Sequence, residues 1–178
     1  MAQYVAFLRA INVGGRTVKM TKLSEIFASL GFTDVETFIA SGNVIFKARS
    51  ANTAVLEKKA ERALEESLGF DVATMIRSTP ELAAIVRFDA FPGSGSPAST
   101  LYVGLLKSAP DGATRDKVRA LATPTDEFRV EGRELYWLCH TKLMQSTASG
   151  ALLEKTAGVR TTFRNVTTLR KLAARYCQ

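Results

Sequence analysis

One histidine and two cysteines, His140, Cys139 and Cys177, are the whole supply of the residues that most often do metal or nucleophilic chemistry. A structural zinc site takes four Cys or His ligands at short spacings. Three such residues do not make one, so no metal and no cofactor is expected. Cys139 and His140 are adjacent, and on a strand neighbours point to opposite faces. The thiol and imidazole therefore cannot pair as nucleophile and base. His140 could act alone as an acid or base, but nothing in the sequence orients it. Glu65-Glu66 and Asp126-Glu127 read as solvated helix and loop charges, and there is no serine nucleophile elbow. The chain has no recognisable catalytic motif, which leans against an enzyme and leaves the question open.

Cations are more informative. From Cys139 to Gln178 there are seven basic residues against Glu154 alone, so this stretch carries nearly all of the formal net charge of +7. On a terminal helix with Leu169, Leu172, Ala173 and Tyr176 as its apolar stripe, Arg170, Lys171 and Arg175 fall on the solvent side. Arg164 sits just before Asn165, the expected helix cap. Such a face can meet phosphates, so Arg164, Arg170, Lys171 and Arg175 are the candidate anion-binding residues. The same cations also complement the helix dipole, at about 0.3–1 kcal/mol each.

A second candidate site lies near the start. Arg9 interrupts an apolar run and needs water, a carboxylate or a ligand. Gly14-Gly15 followed by Arg16 could turn backbone N–H groups and a cation toward a phosphate. With Asn43 these form the candidate ligand site of an alternative reading, a metabolite-binding protein or enzyme. The sequence does not say whether the loop after Arg9 and the turn at Asn43 share one end of a sheet.

The elements that must position these residues follow from periodicity. With 178 residues, 46% apolar and 23% charged, the chain is an ordinary folded protein with room for one domain or two small ones. Tyr4–Ile11 reads as a buried strand, 35–40 and 44–47 as strands about a Ser41-Gly42-Asn43 turn, and Val72–Arg77 as a fourth strand. Helices are expected from Thr21 to Gly31 and from Thr53 to Leu68. The second has Glu57 and Glu61 on its solvated face, and a third is capped by Thr79 with Pro80 following. The nine residues 92–100 are rich in Gly, Pro and Ser and read as a linker. The pattern then repeats. Strands are expected at 101–106, 127–130, 134–139 and 159–163, with helices capped by Asp111, Ser149 and Asn165. The two halves show no visible sequence identity.

The run Phe7-Leu8-Arg9-Ala10-Ile11-Asn12-Val13-Gly14-Gly15, the tripeptide Leu30-Gly31-Phe32, the turn Ser41-Gly42-Asn43-Val44 and the tail around Leu153-Glu154-Lys155, Gly158-Val159 and Thr162-Phe163-Arg164-Asn165 are familiar together. Through them the chain resembles the bacterial domain-of-unknown-function family 1697, over nearly its whole length. The resemblance implies a two-part α+β fold of ferredoxin-like halves, and implies no activity and no catalytic residues. The chain departs from the family in two places. Members carry a Gly-x-Gly-x-Ser-Lys-Leu stretch where this chain has Lys142-Leu143-Met144-Gln145-Ser146-Thr147-Ala148, and Trp where it has Val166.

The expected fold is therefore α+β, with two ferredoxin-like halves in tandem, each βαββαβ plus an extra helix. The halves are 1–91 and 101–178, joined by 92–100. The leading function is a non-catalytic module that binds an anionic partner, nucleic acid or another polyanion, through the basic terminal helix. A third class is a protein-interaction module, as a monomer or weak homodimer. An RNA-recognition surface would need aromatics along the open sheet face, and the strands supply few. No apolar run reaches the roughly 18 residues of a spanning helix, the start lacks the basic region of a signal peptide, and the location is read as cytoplasmic.

Overall fold

The computed structural model describes all 178 residues. Its contacts divide the chain into two units, Met1–Ala83 with Cys177 and Ala84–Tyr176 with Gln178. The division falls inside the third helix, so residues 92–100 belong to the second unit. No helix is long and apolar enough to cross a membrane.

The first unit runs β1 (Ala2–Leu8), α1 (Met20–Ser29), β2 (Thr33–Thr37), β3 (Asn43–Ala48), α2 (Thr53–Leu68), β4 (Thr74–Ser78) and the start of α3 (Thr79–Arg87). The sheet order is β2-β3-β1-β4, antiparallel throughout, which is the ferredoxin-like arrangement. Strand alternation sends Tyr4, Ala6 and Leu8 toward Leu23 and Phe27 of α1 and Leu56 and Leu64 of α2. Phe46 stacks on Phe32 at 4.5 Å between ring centres. On the opposite face Val5, Phe7, Ile45 and Met75 are also fully buried, so this sheet offers no open aromatic platform for bases.

Several boundaries differ from expectation, each for a local reason. β1 stops at Leu8 because Ala10 and Asn12 turn left-handed, at φ 57° and 58°. Arg9 therefore lies in a turn and not in the strand. β2 ends at Thr37, before Ile39 at φ 52°. α1 starts at Met20 behind Lys19, with no side-chain cap, so Thr21 lies inside the helix. α3 is capped by Ser78, not Thr79. The Ser78 hydroxyl accepts from Glu81 N, and the Glu81 carboxylate accepts from Ser78 N at 2.7 Å, a reciprocal capping box.

Glu57 and Glu61 are not on a solvated face. β4 is an edge strand, and its outward N–H groups alternate at Thr74, Ile76 and Ser78. Carboxylates take all three: Glu61 at 2.9 Å, buried Glu57 at 2.8 Å and Glu81 at 2.7 Å. An edge strand otherwise presents free donors to other chains. The carboxylates close this one.

The second unit runs β5 (Thr100–Leu106), α4 (Gly112–Arg119), β6 (Asp126–Glu131), β7 (Glu134–Cys139), a 3₁₀ turn (Leu143–Gln145), α5 (Gly150–Ala157), β8 (Thr161–Asn165) and α6 (Val166–Tyr176). Its order, β6-β7-β5-β8, repeats the first. Val118 of α4 and Leu153 and Ala157 of α5 pack with Leu106, Phe128, Leu135 and Trp137 on one face. The end of α3 covers part of the other, where Phe88 lies 5.2 Å from the Tyr136 ring and the Tyr136 hydroxyl donates to Ile85 O. Asp111 caps α4 by accepting from Thr114 N, which holds its carboxyl below the usual range. β8 begins at Thr161, two residues later than its apolar pattern suggests.

The halves do share a short repeat. Thr74-Met75-Ile76-Arg77-Ser78 and Thr161-Thr162-Phe163-Arg164-Asn165 occupy the same strand of each sheet. Arg77 lies opposite Val5 and Arg164 opposite Val103, and both arginines are buried. Ser78 and Asn165 then start the following helices. In the second unit Glu154 repeats the edge contact, accepting from Thr161 N at 2.8 Å.

Candidate functional site

α6 presents its cations as the spacing requires. Asn165 accepts from Thr167 N at 2.9 Å and starts the helix. Leu169 and Leu172 are buried, while Arg170, Lys171 and Arg175 are exposed. Neither Arg170 nor Lys171 makes an ion pair. Arg164 does not join them. It lies within β8, 8% exposed, donating to Thr162 Oγ1 at 2.7 Å and Phe163 O at 2.9 Å. Burial pulls its guanidinium down to about 10. The strand that precedes α6 ends two residues further on than expected and takes Arg164 inside with it.

Arg170 also borders a cleft of about 550 Å³ in the second unit. Arg87, Asp89, Ser96, Ser99 and Thr167 line it too, above an apolar floor that includes Leu101 and Leu138. One wall is the Gly-, Pro- and Ser-rich segment 92–100, which forms two turns. Pro92 and Gly93 are the central residues of a turn closed by Ser94 N to Phe91 O, with Gly93 at φ 74°, the pattern of a type II turn. Pro97 opens a second turn, closed by Ser99 N to Ser96 O at 3.0 Å.

That second turn delivers Ser99 to His140. The Ser99 hydroxyl lies 2.8 Å from His140 Nδ1, and His140 Nε2 lies 2.7 Å from Glu127 Oε2. Three adjacent strands make the arrangement. Ser99 precedes β5, His140 follows β7, and Glu127 is on β6, where Glu127 pairs with Leu138 and Thr100 with Cys139. All three side chains are partly exposed. His140 is thus oriented from both ring nitrogens, contrary to expectation, and Glu127 is not an isolated loop charge. Cys139 faces the other way, buried, with its thiol donating to Thr141 O.

Asp126 also departs from the solvated reading. It is fully buried and accepts from Trp137 Nε1 at 2.7 Å, Thr125 Oγ1 at 2.8 Å and Ser146 Oγ at 2.9 Å. Burial acts to raise its pKa, but the hydrogen bonds it accepts, led by the one from Trp137, together outweigh it and the carboxyl is held low. Ser146 ties the 142–148 segment to the sheet through this bond.

The second expected site comes together only in part. Asn12 donates to Ala40 O at 3.0 Å and accepts from Val18 N. Leu8 N donates to Gly42 O at 2.9 Å. The loop after β1 and the β2–β3 turn therefore share one end of the sheet. Gly14 and Gly15 are exposed there at φ 62° and 81°. Arg16 lies 4.3 Å over the Phe70 ring. Asn43 is fully buried as the first residue of β3, donating to Phe38 O and Ser41 Oγ. Its amide closes the hairpin. No cluster of three or more His, Cys, Asp or Glu is placed to hold a metal in either unit.

Comparison with known proteins adds the family and the fold. The family model described as Protein of unknown function (DUF1697) matches residues 1–136. The solved structure of a conserved bacterial protein from Streptococcus pneumoniae is similar with a TM-score of 0.71 at 21% identity, covering 100% of this chain and 99% of that one. No curated protein matches the chain.

Proposed function

Because the chain belongs to the family of unknown function DUF1697, which brings no activity with it, we propose from the chain's own geometry that it binds an anionic partner, nucleic acid being the polyanion to test, along the outer face of α6. The observation that carries this reading is the position of Arg170. It is exposed, makes no ion pair, borders the cleft, and stands beside Lys171 on a helix whose outer face also holds Arg175. The helix has 11 residues, which at the 1.5 Å rise per residue is a surface of roughly 16 Å. The one acidic residue in the last forty, Glu154, is engaged by Thr161 N. Field from these cations is therefore little offset by neighbours in sequence, which is what an electrostatic binding face needs.

Fluorescence anisotropy of labelled single- and double-stranded oligonucleotides at low salt tests it. Wild-type protein is expected to bind, and the variant with Arg170, Lys171 and Arg175 all changed to Glu is expected to lose binding. Equal binding by both proteins, or none by either, overturns the reading.

A further inference from the structure

We propose that Ser99, His140 and Glu127 form a catalytic triad that hydrolyses small carboxylic esters entering the cleft bordered by Arg87 and Arg170. The preference for esters with an anionic acyl part rests on the reading of Arg170 given above; the triad itself does not. A nucleophile, a base and a group that orients the base, each within hydrogen-bond reach of the next, are the geometric signature of this chemistry on unrelated folds. Here both links are short, 2.8 Å from Ser99 Oγ to His140 Nδ1 and 2.7 Å from His140 Nε2 to Glu127 Oε2.

The proton positions follow from the carboxylate. Ionised Glu127 accepts only, so Nε2 carries the ring proton and donates it. The lone pair of Nδ1 then faces the Ser99 hydroxyl. Ser99 is partly exposed and lines the cleft of about 550 Å³, a volume typical of small-molecule sites. It is also held in place. Its N–H closes the turn begun at Ser96, and Ser96 N and Ser96 Oγ lie 3.4 and 3.1 Å from its Oγ.

The reaction balances without a co-reactant other than water. Ser99 Oγ bonds to the ester carbonyl carbon as its proton passes to Nδ1, and the carbonyl π pair moves onto oxygen. Collapse of that tetrahedral species breaks the bond to the alcohol oxygen, which takes the proton from Nδ1. Water then attacks the Ser99 ester, giving one proton to Nδ1. Collapse releases the acid, and Oγ recovers that proton. Glu127 holds the imidazole in the required tautomer throughout and is a positioning residue.

The test is labelling of the full chain by a small uncharged fluorophosphonate, with the modified residue located by peptide mass analysis. The probe needs no cationic subsite, so its outcome is independent of nucleic-acid binding by α6. One adduct per chain on Ser99 is expected, absent in Ser99→Ala. His140→Ala is expected to slow labelling by about 100-fold or more. Glu127→Gln is expected to slow it less, with Glu127→Asp recovering part of the loss, and the Trp137 emission of each variant reports that the unit stays folded. Wild-type protein that takes no adduct at Ser99, or takes it no faster than His140→Ala, overturns the triad. Separately, Arg170→Ala is expected to raise KM for esters of dicarboxylic half-acids over neutral esters. An unchanged ratio overturns the anionic preference and leaves the triad standing.

Discussion

Substituting Asp126 by Ala removes the acceptor of three short hydrogen bonds at once, but the three are not equal in consequence. Thr125 and Ser146 are partly exposed, and their hydroxyls can turn to water. Trp137 is 3% exposed, and its indole N–H has Asp126 as its acceptor. An orphaned buried donor costs about 1–3 kcal/mol, and a bond to a charged acceptor is worth about 1.5–3 kcal/mol. Against this, the carboxylate no longer has to be desolvated. A net loss of about 2–3 kcal/mol follows, and at roughly 2–4 °C per kcal/mol for a chain of this size Tm should fall by about 4–12 °C. Asp126→Asn keeps an oxygen for the indole and loses the charge, so its loss should be the smaller. Trp137 is the single tryptophan, so emission in a urea titration reads this unit directly. An Ala variant within 0.5 kcal/mol of wild type, or an Asn variant less stable than Ala, would refute the reasoning. The same network sets a pH dependence. The folded carboxyl is held below its ordinary value. Its contribution is therefore complete above the unfolded aspartate value of about 4 and is lost as pH falls through the lower folded one. The Asp126→Asn variant should lose this acid-limb dependence, measured as Tm against pH from 5 downward.

Other residues give shorter tests. Glu57→Ala leaves the buried Ile76 N–H without its acceptor and should destabilise by about 1–3 kcal/mol in urea unfolding; a neutral result would contradict the edge-closing role. Gly104→Ala would place a Cβ 2.7 Å from Phe163 Cε1 and 2.9 Å from Thr161 Cγ2, and overpacking of that kind costs about 1–3 kcal/mol. Gly14→Ala meets nothing within 4 Å, so only its left-handed backbone matters, and thermal melts should show a loss of about 1–2 kcal/mol with no packing contribution. A loss at Gly14 well beyond about 2 kcal/mol would point to contacts the loop does not show.

Much of the fold was legible because it rests on local rules. Apolar spacing at i, i+3, i+4 and i+7 located Leu23, Ile26 and Phe27 on one face and Leu169 and Leu172 on another. Gly31, Gly69 and Gly158 ended helices as their left-handed freedom allows. Strand ends were less legible, since they are set by left-handed residues such as Ala10 and Ile39 that no side chain announces. Burial of charge is less legible still. Glu57 falls beside solvated neighbours in sequence, yet it is buried against an edge strand whose position only the assembled sheet supplies.

The candidate site divides in the same way. The exposed row Arg170, Lys171 and Arg175 follows from helical period alone. Arg164 falls outside that row because β8 runs to Asn165, and a strand interior hides what a loop would expose. Ser99, His140 and Glu127 are far apart in the chain, and only register joins them. Part of that signal was present. The tight turn at Gly132-Arg133 fixes the β6–β7 pairing, and counting back from it sets Glu127 opposite Leu138, two positions from His140. The approach of Ser99 to His140 depends on the β5–β7 pairing, which no hairpin announces.

Binding of an anionic partner by α6 is tested most directly by the salt dependence of oligonucleotide affinity, compared between wild type and Arg170→Gln. Each phosphate neutralised contributes a slope of roughly −0.7 to −0.9 in log K against log salt. Wild-type protein should show a slope of about −2 to −3 if the three exposed cations each meet a phosphate, and Arg170→Gln should make it shallower by about one such contact. A slope that the substitution leaves unchanged, or an affinity indifferent to salt, would contradict the account.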